Sequence, residues 1–267
     1  MTSRAFGAMF RVDLLQTIQY RGESFLWAIW GVIYPVVALA MWEAAAEAPA
    51  EGSNVAAYAK GGFAAYFLLT MVVGHVVTAW DAYEMGWVIR SGAFSAQLMQ
   101  PMLPIWRSIA GNLAWKLFTL VILTPFWILV AWLVEPRFEA TAAQLGLGVV
   151  ATILAAGIAF IWGYVVALTA FWTTRNDAVG EFWFGASLLV GGRLAPIALL
   201  PVPLQFLAGV LPHQWALGFP CEVLTGQCSD ARLYGGLAAQ AAWLVGGAVI
   251  FRLLWSKAIR RYTAVGG

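Results

Sequence analysis

Long runs of apolar residues alternate with short polar segments along most of the chain. A helix needs roughly 20 mostly apolar residues to cross a bilayer, because each residue adds about 1.5 Å to a hydrocarbon core about 30 Å thick. Six segments have this length: Ser24–Trp42, Gly61–Trp80, Ile109–Val134, Leu145–Trp172, Phe182–Leu200 and Leu233–Trp255. The pattern predicts an all-α membrane protein with six transmembrane helices, which form one domain over residues 1–267 with its bundle at 24–256.

Residues 1–23 precede the first span and predict an amphipathic helix over Arg4–Gln19. Apolar side chains recur at steps of three or four residues, as expected for one helix face: Phe6, Met9, Phe10, Leu14 and Ile18. Polar side chains occupy the rest: Arg4, Arg11, Asp13 and Gln16. A helix of this type lies in the membrane interface. It is either a simple anchor for the first span or an elbow helix that contacts a cytoplasmic partner.

The connection between the second and third spans, Asp81–Pro104, has a helical pattern of its own. After Gly92, Phe94 and Leu98 recur at helical spacing, and Pro101 ends the turn. The pattern predicts a short helix over about Ser91–Gln100. Two interpretations remain open, a solvated turn and a rigid element through which a partner protein acts on the membrane domain.

The segment that follows the fifth span is divided by prolines into pieces too short to cross a bilayer. These are Pro196, Pro201, Pro203, Pro212 and Pro220. Irregular backbone at membrane depth is tolerated only where protein buries it or a water-filled cavity hydrates it. The segment is therefore expected to form external re-entrant half-helices, or else surface-lying helices in an ordinary external loop.

Arg193 lies within the apolar run of the fifth span, next to Gly191 and Gly192. An ionisable residue inside a membrane is a functional candidate by default. Three roles are open for Arg193: capping of half-helix carbonyl groups, attraction of an anionic headgroup, and extension of the side chain towards the membrane surface.

The distribution of basic residues predicts the orientation, because cytoplasmic flanks are enriched in Lys and Arg. With both termini inside, the cytoplasmic flanks hold ten basic residues: Arg4, Arg11, Arg21, Arg90, Arg107, Arg175, Arg252, Lys257, Arg260 and Arg261. The external flanks hold only Lys60, Arg137 and Arg232. Tryptophans mark the predicted membrane surfaces, with Trp80, Trp106, Trp172, Trp183 and Trp255 at the inner one and Trp42 and Trp132 at the outer one.

Two features near the external side leave alternatives. The stretch AAAEAPAEG after Trp42 has the small residues of a cleavage site, but the preceding apolar run is longer than that of a signal peptide, which favours an uncleaved first span. Cys221 and Cys228 lie in one external segment, where they either form a small disulfide loop or remain free thiols.

Composition supports a membrane protein that is not itself an enzyme. Hydrophobic residues make up 62% of the chain and charged residues 10%, against roughly 45–50% and 25% in soluble domains. The net charge of +2 is too small to indicate a nucleic-acid partner. The sequence has no metal-ligand spacing, no nucleophile motif and no GxxxxGK[ST] phosphate loop. We therefore expect no cofactor in this chain, and any ATP hydrolysis on a separate polypeptide.

Three segments, in this order, resemble the permease subunits of type-2 ABC transporters, which have six spans. Ile89–Pro104 is similar to the family's cytoplasmic coupling segment, and Gly191–Gln227 resembles its fifth span and external re-entrant helices. The terminal segment WSKAIRRYTAVGG resembles the end of the sixth span and the short basic tail of some members. The tail itself comprises residues 257–267. One departure is Ala93, which stands where an acidic residue is expected after the coupling glycine.

The resemblance implies an exporter in the bacterial inner membrane with roles for four groups of residues. The ATPase-coupling group is Arg90, Ser91, Gly92, Phe94, Leu98, Gln100 and Pro101; the elbow-helix group is Phe6, Phe10, Arg11 and Leu14. The gate group is Gly192, Arg193, Pro196, Pro201, Pro212 and Pro220; the substrate-path group is Trp30, Tyr34, Tyr66, Phe67 and Phe184. The implied partners are two cytoplasmic ATPase subunits that hold ATP and Mg²⁺, a second permease that is related or identical, and membrane lipids.

Two other functions remain as alternatives. A gradient-driven carrier would need His75 or Arg193 as an ion or proton site. A membrane scaffold or assembly protein would have no transport activity and no nucleotide-binding partner.

Overall fold

The computed structural model describes residues 3–47, 55, 58, 61–173 and 176–262, and every regular element within them is a helix. Lys60, Arg175 and residues 263–267 of the predicted tail lie outside this part of the chain. The helices are α1 (Ser3–Gln19), α2 (Arg21–Glu47), α3 (Gly62–Val77), α4 (Asp81–Arg90), α5 (Ala93–Leu98), α6 (Pro104–Val134), α7 (Ala142–Ala167), α8 (Asn176–Val190), α9 (Val202–Val210), α10 (Pro212–Ala216), α11 (Gly218–Thr225) and α12 (Asp230–Arg261). Short 3₁₀ turns occupy Leu168–Phe171 and Ile197–Leu199.

Five helical segments of the described chain are long and apolar enough to cross a membrane. They are Arg21–Glu47, Gly62–Arg90, Pro104–Val134, Ala142–Phe171 and Asp230–Arg261. They confirm the all-α class and five of the six predicted spans. The second segment combines α3 and α4, which are separated by three non-helical residues, Thr78–Trp80.

The predicted fifth span, Phe182–Leu200, is not one continuous helix. Helix α8 ends at Val190 after 15 residues, and the backbone from Gly191 to Pro196 is not helical. Gly192 has φ +90°, a left-handed conformation that favours glycine and interrupts a right-handed helix. Pro196 removes a further backbone N–H donor. These local features explain why continuous apolarity did not produce a continuous helix.

Helix α3 lies at the centre of the bundle. Phe63, Tyr66, Phe67 and Met71 are almost completely buried among α2, α7 and α11. Helices α7 and α12 pack along each other on one side of it. Close packing on α12 requires Gly236, because a Cβ atom there would overlap the ring of Phe219 on α11.

Helix α1 matches the predicted range Arg4–Gln19 and packs against α6. Phe6, Phe10 and Leu14 are partly buried on this contact, while Arg11 is exposed. One assignment was wrong: Asp13 was placed on the polar face but is buried, with its Oδ1 atom 3.4 Å from the Arg107 guanidinium. Ile18 is exposed. A position at the membrane interface stays a prediction.

The proline-rich segment after α8 forms short helices, as its sequence predicted. Pro196 and Pro201 directly precede the 3₁₀ turn and α9, Pro212 is the first residue of α10, and Pro220 lies in the first turn of α11. Glu222 of α11 forms an ion pair of 2.7 Å with Arg232 of α12. Whether these helices enter the membrane stays a prediction.

The two cysteines are free and buried in the structure, so the disulfide that the sequence allowed is not formed. Cys221 lies on α11 and packs in the cluster that contains Tyr66 and Leu217. Cys228 follows the turn at Gly226 and packs in a separate cluster with Phe219 and Leu233. The helix and the turn therefore place the two thiols in different parts of the core.

Candidate functional site

A cavity of about 740 Å³ opens between α2, α3, α4, α6, α7, α8 and α10. Its volume falls within the range of roughly 300–1,000 Å³ that is typical of small-molecule sites. Tryptophan side chains from four different helices and one inter-helix break form much of the wall: Trp27, Trp80, Trp115, Trp127, Trp162 and Trp183. The cavity thus offers large, rigid and flat apolar surfaces.

One wall of the cavity is an aromatic chain that joins α2 to α6. The Trp27 and Trp80 rings meet edge to face with centroids 5.5 Å apart, and Trp80 meets Trp115 in the same way at 5.9 Å. Trp80 belongs to the Thr78–Trp80 break, so the end of α3 places it in the cavity. The wall therefore depends on where α3 stops.

The opposite wall is formed by α7, α8 and α10. Trp162 and Trp183 stack with centroids 6.3 Å apart, and the His213 ring lies 4.2 Å from that of Trp183. The Trp162 indole N–H donates to the carbonyl oxygen of Trp243 at 3.0 Å. That hydrogen bond fixes the ring plane that faces the cavity.

The break after α8 brings Arg193 into the cavity lining. Three hydrogen bonds from separate helices hold the broken backbone. Tyr66 Oη donates to the Gly192 carbonyl oxygen at 2.9 Å, Trp42 Nε1 donates to the Leu194 carbonyl oxygen at 2.7 Å, and the Gly218 amide donates to the Gly191 carbonyl oxygen at 3.0 Å. The backbone position of Arg193 is therefore set by tertiary contacts on both sides of the residue.

His75 also borders the cavity, but its hydrogen bonds are internal. Its Nε2 atom lies 3.2 Å from the carbonyl oxygen of Lys116 and 3.3 Å from the hydroxyl of Thr119. The ring packs against Trp115 and Trp127 with centroids 5.3 and 5.6 Å away. These contacts give His75 a structural function in joining α3 to α6.

The connection between α4 and α6 contains the predicted short helix as α5. Arg90 ends α4, Ser91 follows it, and Gly92 takes φ +76° and directly precedes α5. Phe94 is completely buried and meets the rings of Phe171 and Tyr262 edge to face at 5.3 and 5.2 Å. The Ser95 and Tyr262 hydroxyl groups are 2.6 Å apart. Helix α5 is therefore fixed to the 3₁₀ turn that follows α7 and to the C-terminal end of α12.

The outward side of this connection is apolar. Leu98 is 37% and Met99 is 87% exposed, and Leu98, Gln100 and Pro101 border a shallow hollow of about 400 Å³ that Trp255 and Ile259 of α12 complete. An exposed apolar patch on a short, well-anchored helix is typical of a protein–protein contact.

A family model for ABC-2 family transporter proteins matches residues 55–266. The match covers most of the chain, including α3 to α12. The chain belongs to the ABC-2 transporter family. No curated protein and no solved structure matches it. ABC-2 family proteins of this type are membrane components that work with ABC ATPase partners and are not themselves catalytic.

In this ABC-2 protein the predicted substrate-path residues fall into two groups. Trp30 and Tyr34 on α2 and Phe184 on α8 line the cavity. Tyr66 and Phe67 do not, because both are fully buried in the core around α3. Contact of any of the five residues with a substrate stays a prediction. Tyr66 instead supports the backbone that carries Arg193.

Sequence reasoning missed most of the cavity wall. Trp80 and Trp183 were interpreted as markers of the membrane surface, and Trp27, Trp162 and His213 were not singled out. One signal was present: Trp27, Trp30 and Tyr34 recur at helical spacing and predict one aromatic face on α2. The contributions of α6, α7 and α10 required the tertiary arrangement.

Proposed function

We propose that this chain is the permease subunit of an ATP-driven exporter, with the aromatic cavity as the binding site for a hydrophobic or amphipathic molecule such as a lipid, a glycan-like compound or a small apolar compound. The cavity is the observation that supports the proposal. Its size suits a small molecule, its wall is mostly aromatic, and two of its walls are formed by helices next to backbone breaks. Such breaks allow neighbouring helices to move relative to each other.

A mechanical route leads from α5 to the cavity. Helix α5 follows α4 directly, and α4 begins at the residue after Trp80, which lies in the cavity wall. With about 1.5 Å per residue, the ten residues of α4 extend about 15 Å. A displacement of α5 by a partner would therefore shift Trp80 as α4 moves.

Helix α4 is also tied to its neighbours by polar contacts. Asn176 at the start of α8 donates to the Ala82 carbonyl oxygen at 2.9 Å, and Asn112 of α6 donates to the Asp81 carboxylate at 3.2 Å. Movement of α4 would therefore pull on α6 and α8, which both contribute to the cavity wall. This geometry supports α5 as the coupling helix.

The complete transporter would contain two cytoplasmic ATPase subunits and a second permease, related or identical, in the bacterial inner membrane. ATP and Mg²⁺ would bind to the ATPases. The excess of Lys and Arg in the flanks of the coupling segment and of both termini supports an orientation with both termini inside. In that orientation Leu98 and Met99 would meet the ATPase from the cytoplasmic side.

Purification of the tagged chain from native membranes tests the proposal. We expect an ABC ATPase and a second permease to co-purify, and the complex in proteoliposomes to move a fluorescent amphipathic dye only with ATP. Leu98→Glu with Met99→Glu should reduce the recovered ATPase by at least tenfold, because charge replaces the exposed apolar contact. Phe138→Glu, at a site that is 48% exposed in the α6–α7 connection, is the matched control and should leave recovery unchanged. Absence of any nucleotide-binding partner would overturn the proposal and favour a scaffold, and uptake without ATP would favour a carrier.

A further inference from the structure

Arg193 is the basic residue of the cavity wall whose charge no carboxylate of the described chain neutralises. No ion pair or hydrogen bond joins it to another described residue, and its Nε atom is buried without a partner. An unpaired buried donor costs about 1–3 kcal/mol, and more when the group is charged. An arginine in this state is stabilised when a ligand supplies the missing acceptor.

The backbone on both sides of Arg193 is held in one conformation by its neighbours. Gly192 before it has φ +90°, and a Cβ atom there would lie 2.6 Å from the Tyr66 hydroxyl oxygen and 2.8 Å from the Gly218 Cα. Leu194 after it accepts the indole N–H of Trp42. The two fixed neighbours determine where the Arg193 side chain leaves the backbone, and the residue lines the cavity from that position.

The wall near Arg193 provides an aromatic surface. His213 packs on Trp183, and Trp183 stacks on Trp162, so three rings on α7, α8 and α10 form a continuous aromatic cluster. Gly74 of α3 brings its backbone close to the guanidinium, since a Cβ atom there would lie 3.7 Å from an Arg193 terminal nitrogen. A fixed cation beside stacked rings is complementary to a molecule with one negative group and a flat apolar body.

The unpaired charge of Arg193 favours an anion over a cation at this end of the cavity. The acidic lining residues are Glu23 and Glu84, and neither forms an ion pair with Arg193. The buried Nε atom of Arg193 lacks an acceptor. An organic cation placed beside it would be repelled in a medium of low dielectric constant.

We propose that the cavity binds an amphipathic anion, with its carboxylate, sulfonate or phosphate group paired to Arg193 and its apolar body against Trp162 and Trp183. This substrate class rests on the proposed transport function and makes it more specific. The planar guanidinium suits two-pronged hydrogen bonding to such an oxyanion.

Energy transfer from tryptophan to three pyrene probes tests the charge preference in the full-length chain in phosphatidylcholine nanodiscs. The probes share one apolar body and differ in charge: 1-pyrenesulfonate, 1-pyrenemethanol and 1-pyrenemethylammonium. We expect the anion to bind at least tenfold more tightly than the neutral probe and the cation to bind most weakly. Nanodiscs without protein give the background from partition into lipid.

Variants of Arg193 assign the preference to this residue. Arg193→Gln should weaken binding of the anion by about 10- to 100-fold while the neutral probe changes less than threefold, because only the charge-assisted hydrogen bonds are lost. Arg193→Lys should retain most of the preference. Arg252→Gln, an exposed arginine on α12 outside the cavity lining, is the matched control and should bind all three probes as the unmodified chain does.

Ser187→Glu tests the effect of the positive charge of Arg193 while the arginine itself is retained. Ser187 lines the cavity on α8, one turn before the break, so the new carboxylate would neutralise the site. This variant should lose the anion and gain the cation. A thermal unfolding midpoint within a few degrees of the unmodified chain shows that each variant is folded. Equal binding of the three probes, or an anion preference that survives both Arg193→Gln and Ser187→Glu, would overturn the proposal.

Two further measurements identify the source of the anion and separate this inference from the transport proposal. If phosphatidylglycerol in the nanodisc competes with 1-pyrenesulfonate, the anionic group belongs to a lipid; if it does not, the ligand is a soluble amphipath. Both results support an anion site. If no ATPase co-purifies but the chain still prefers the anionic probe, the transport proposal alone is refuted. If the complex transports with ATP and Arg193→Gln changes neither transport nor probe binding, the anion site alone is refuted.

Discussion

The Tyr66 hydroxyl donates a hydrogen bond of 2.9 Å to the carbonyl oxygen of Gly192, which joins the central helix α3 to the break after α8. Tyr66 is fully buried, and Gly192 occupies the left-handed region of backbone conformation. The bond therefore supports a backbone geometry that the local sequence does not favour by itself. It also determines where the next residue, Arg193, enters the cavity.

Removal of this hydrogen bond should loosen the break. Tyr66→Phe leaves the Gly192 carbonyl group buried without its donor, which costs about 1–3 kcal/mol. The thermal unfolding midpoint of the purified protein should fall. Tyr34→Phe, at a partly exposed tyrosine of the cavity wall, should have little effect. Equal midpoints for the two variants would show that the hydrogen bond does not hold the break.

Phe94 should stabilise the fold and should not contact the ATPase. Its ring is completely buried between Phe171 and Tyr262, and deletion of a buried phenylalanine costs about 3–5 kcal/mol. Phe94→Ala should therefore lower the unfolding midpoint. Met99→Ala, at an 87% exposed side chain on the same connection, should leave the midpoint unchanged and weaken ATPase co-purification. The reverse pattern would contradict the orientation of α5.

Two adjacent glycines of α12 should respond in opposite ways to alanine. A Cβ atom at Gly236 would overlap Phe219, whereas a Cβ atom at Gly235 would meet nothing within 4 Å. Gly236→Ala should destabilise the protein by about 1–3 kcal/mol through overpacking. Gly235→Ala should stabilise the helix by about 0.5–1 kcal/mol, since alanine loses less conformational freedom than glycine. Chemical unfolding of the two variants in detergent measures both signs.

Both cysteines should be present as thiols that react slowly in the folded protein. Each side chain is buried, and burial raises the pKa of the Cys228 thiol to about 11, so little thiolate forms near neutral pH. A maleimide reagent followed by mass spectrometry should add two groups after unfolding without reductant and almost none before it. Recovery of two added groups only after reduction would show a disulfide.

The boundaries of many elements followed from the sequence because their causes are local. Pro104 begins α6, Gly92 separates α4 from α5, and the prolines after Val190 divide the chain into short helices. Gly191, Gly192, Arg193 and Pro196 interrupt the fifth apolar run in the sequence. The hydropathy pattern predicted a span there, and only the structure showed that the helix ends at Val190.

The inward or outward direction of side chains did not follow from the sequence. In a membrane helix the faces towards lipid and towards protein are both apolar, so periodicity does not separate them. Tyr66 and Phe67 were therefore placed on the substrate path although they form the core, and Phe94 was placed on the coupling face although it is an anchor. Asp13 was placed on the solvent side although α6 buries it.

The amino-acid sequence by itself determined that this protein is a helical membrane protein without catalytic motifs, because hydropathy, length and breaker residues act over short stretches of chain. The tertiary structure alone decided that tryptophans from separate helices form one cavity and that Arg193 borders it. Trp27 and Arg193 are 166 positions apart, and only the packing of the helices brings the residues of the cavity wall together.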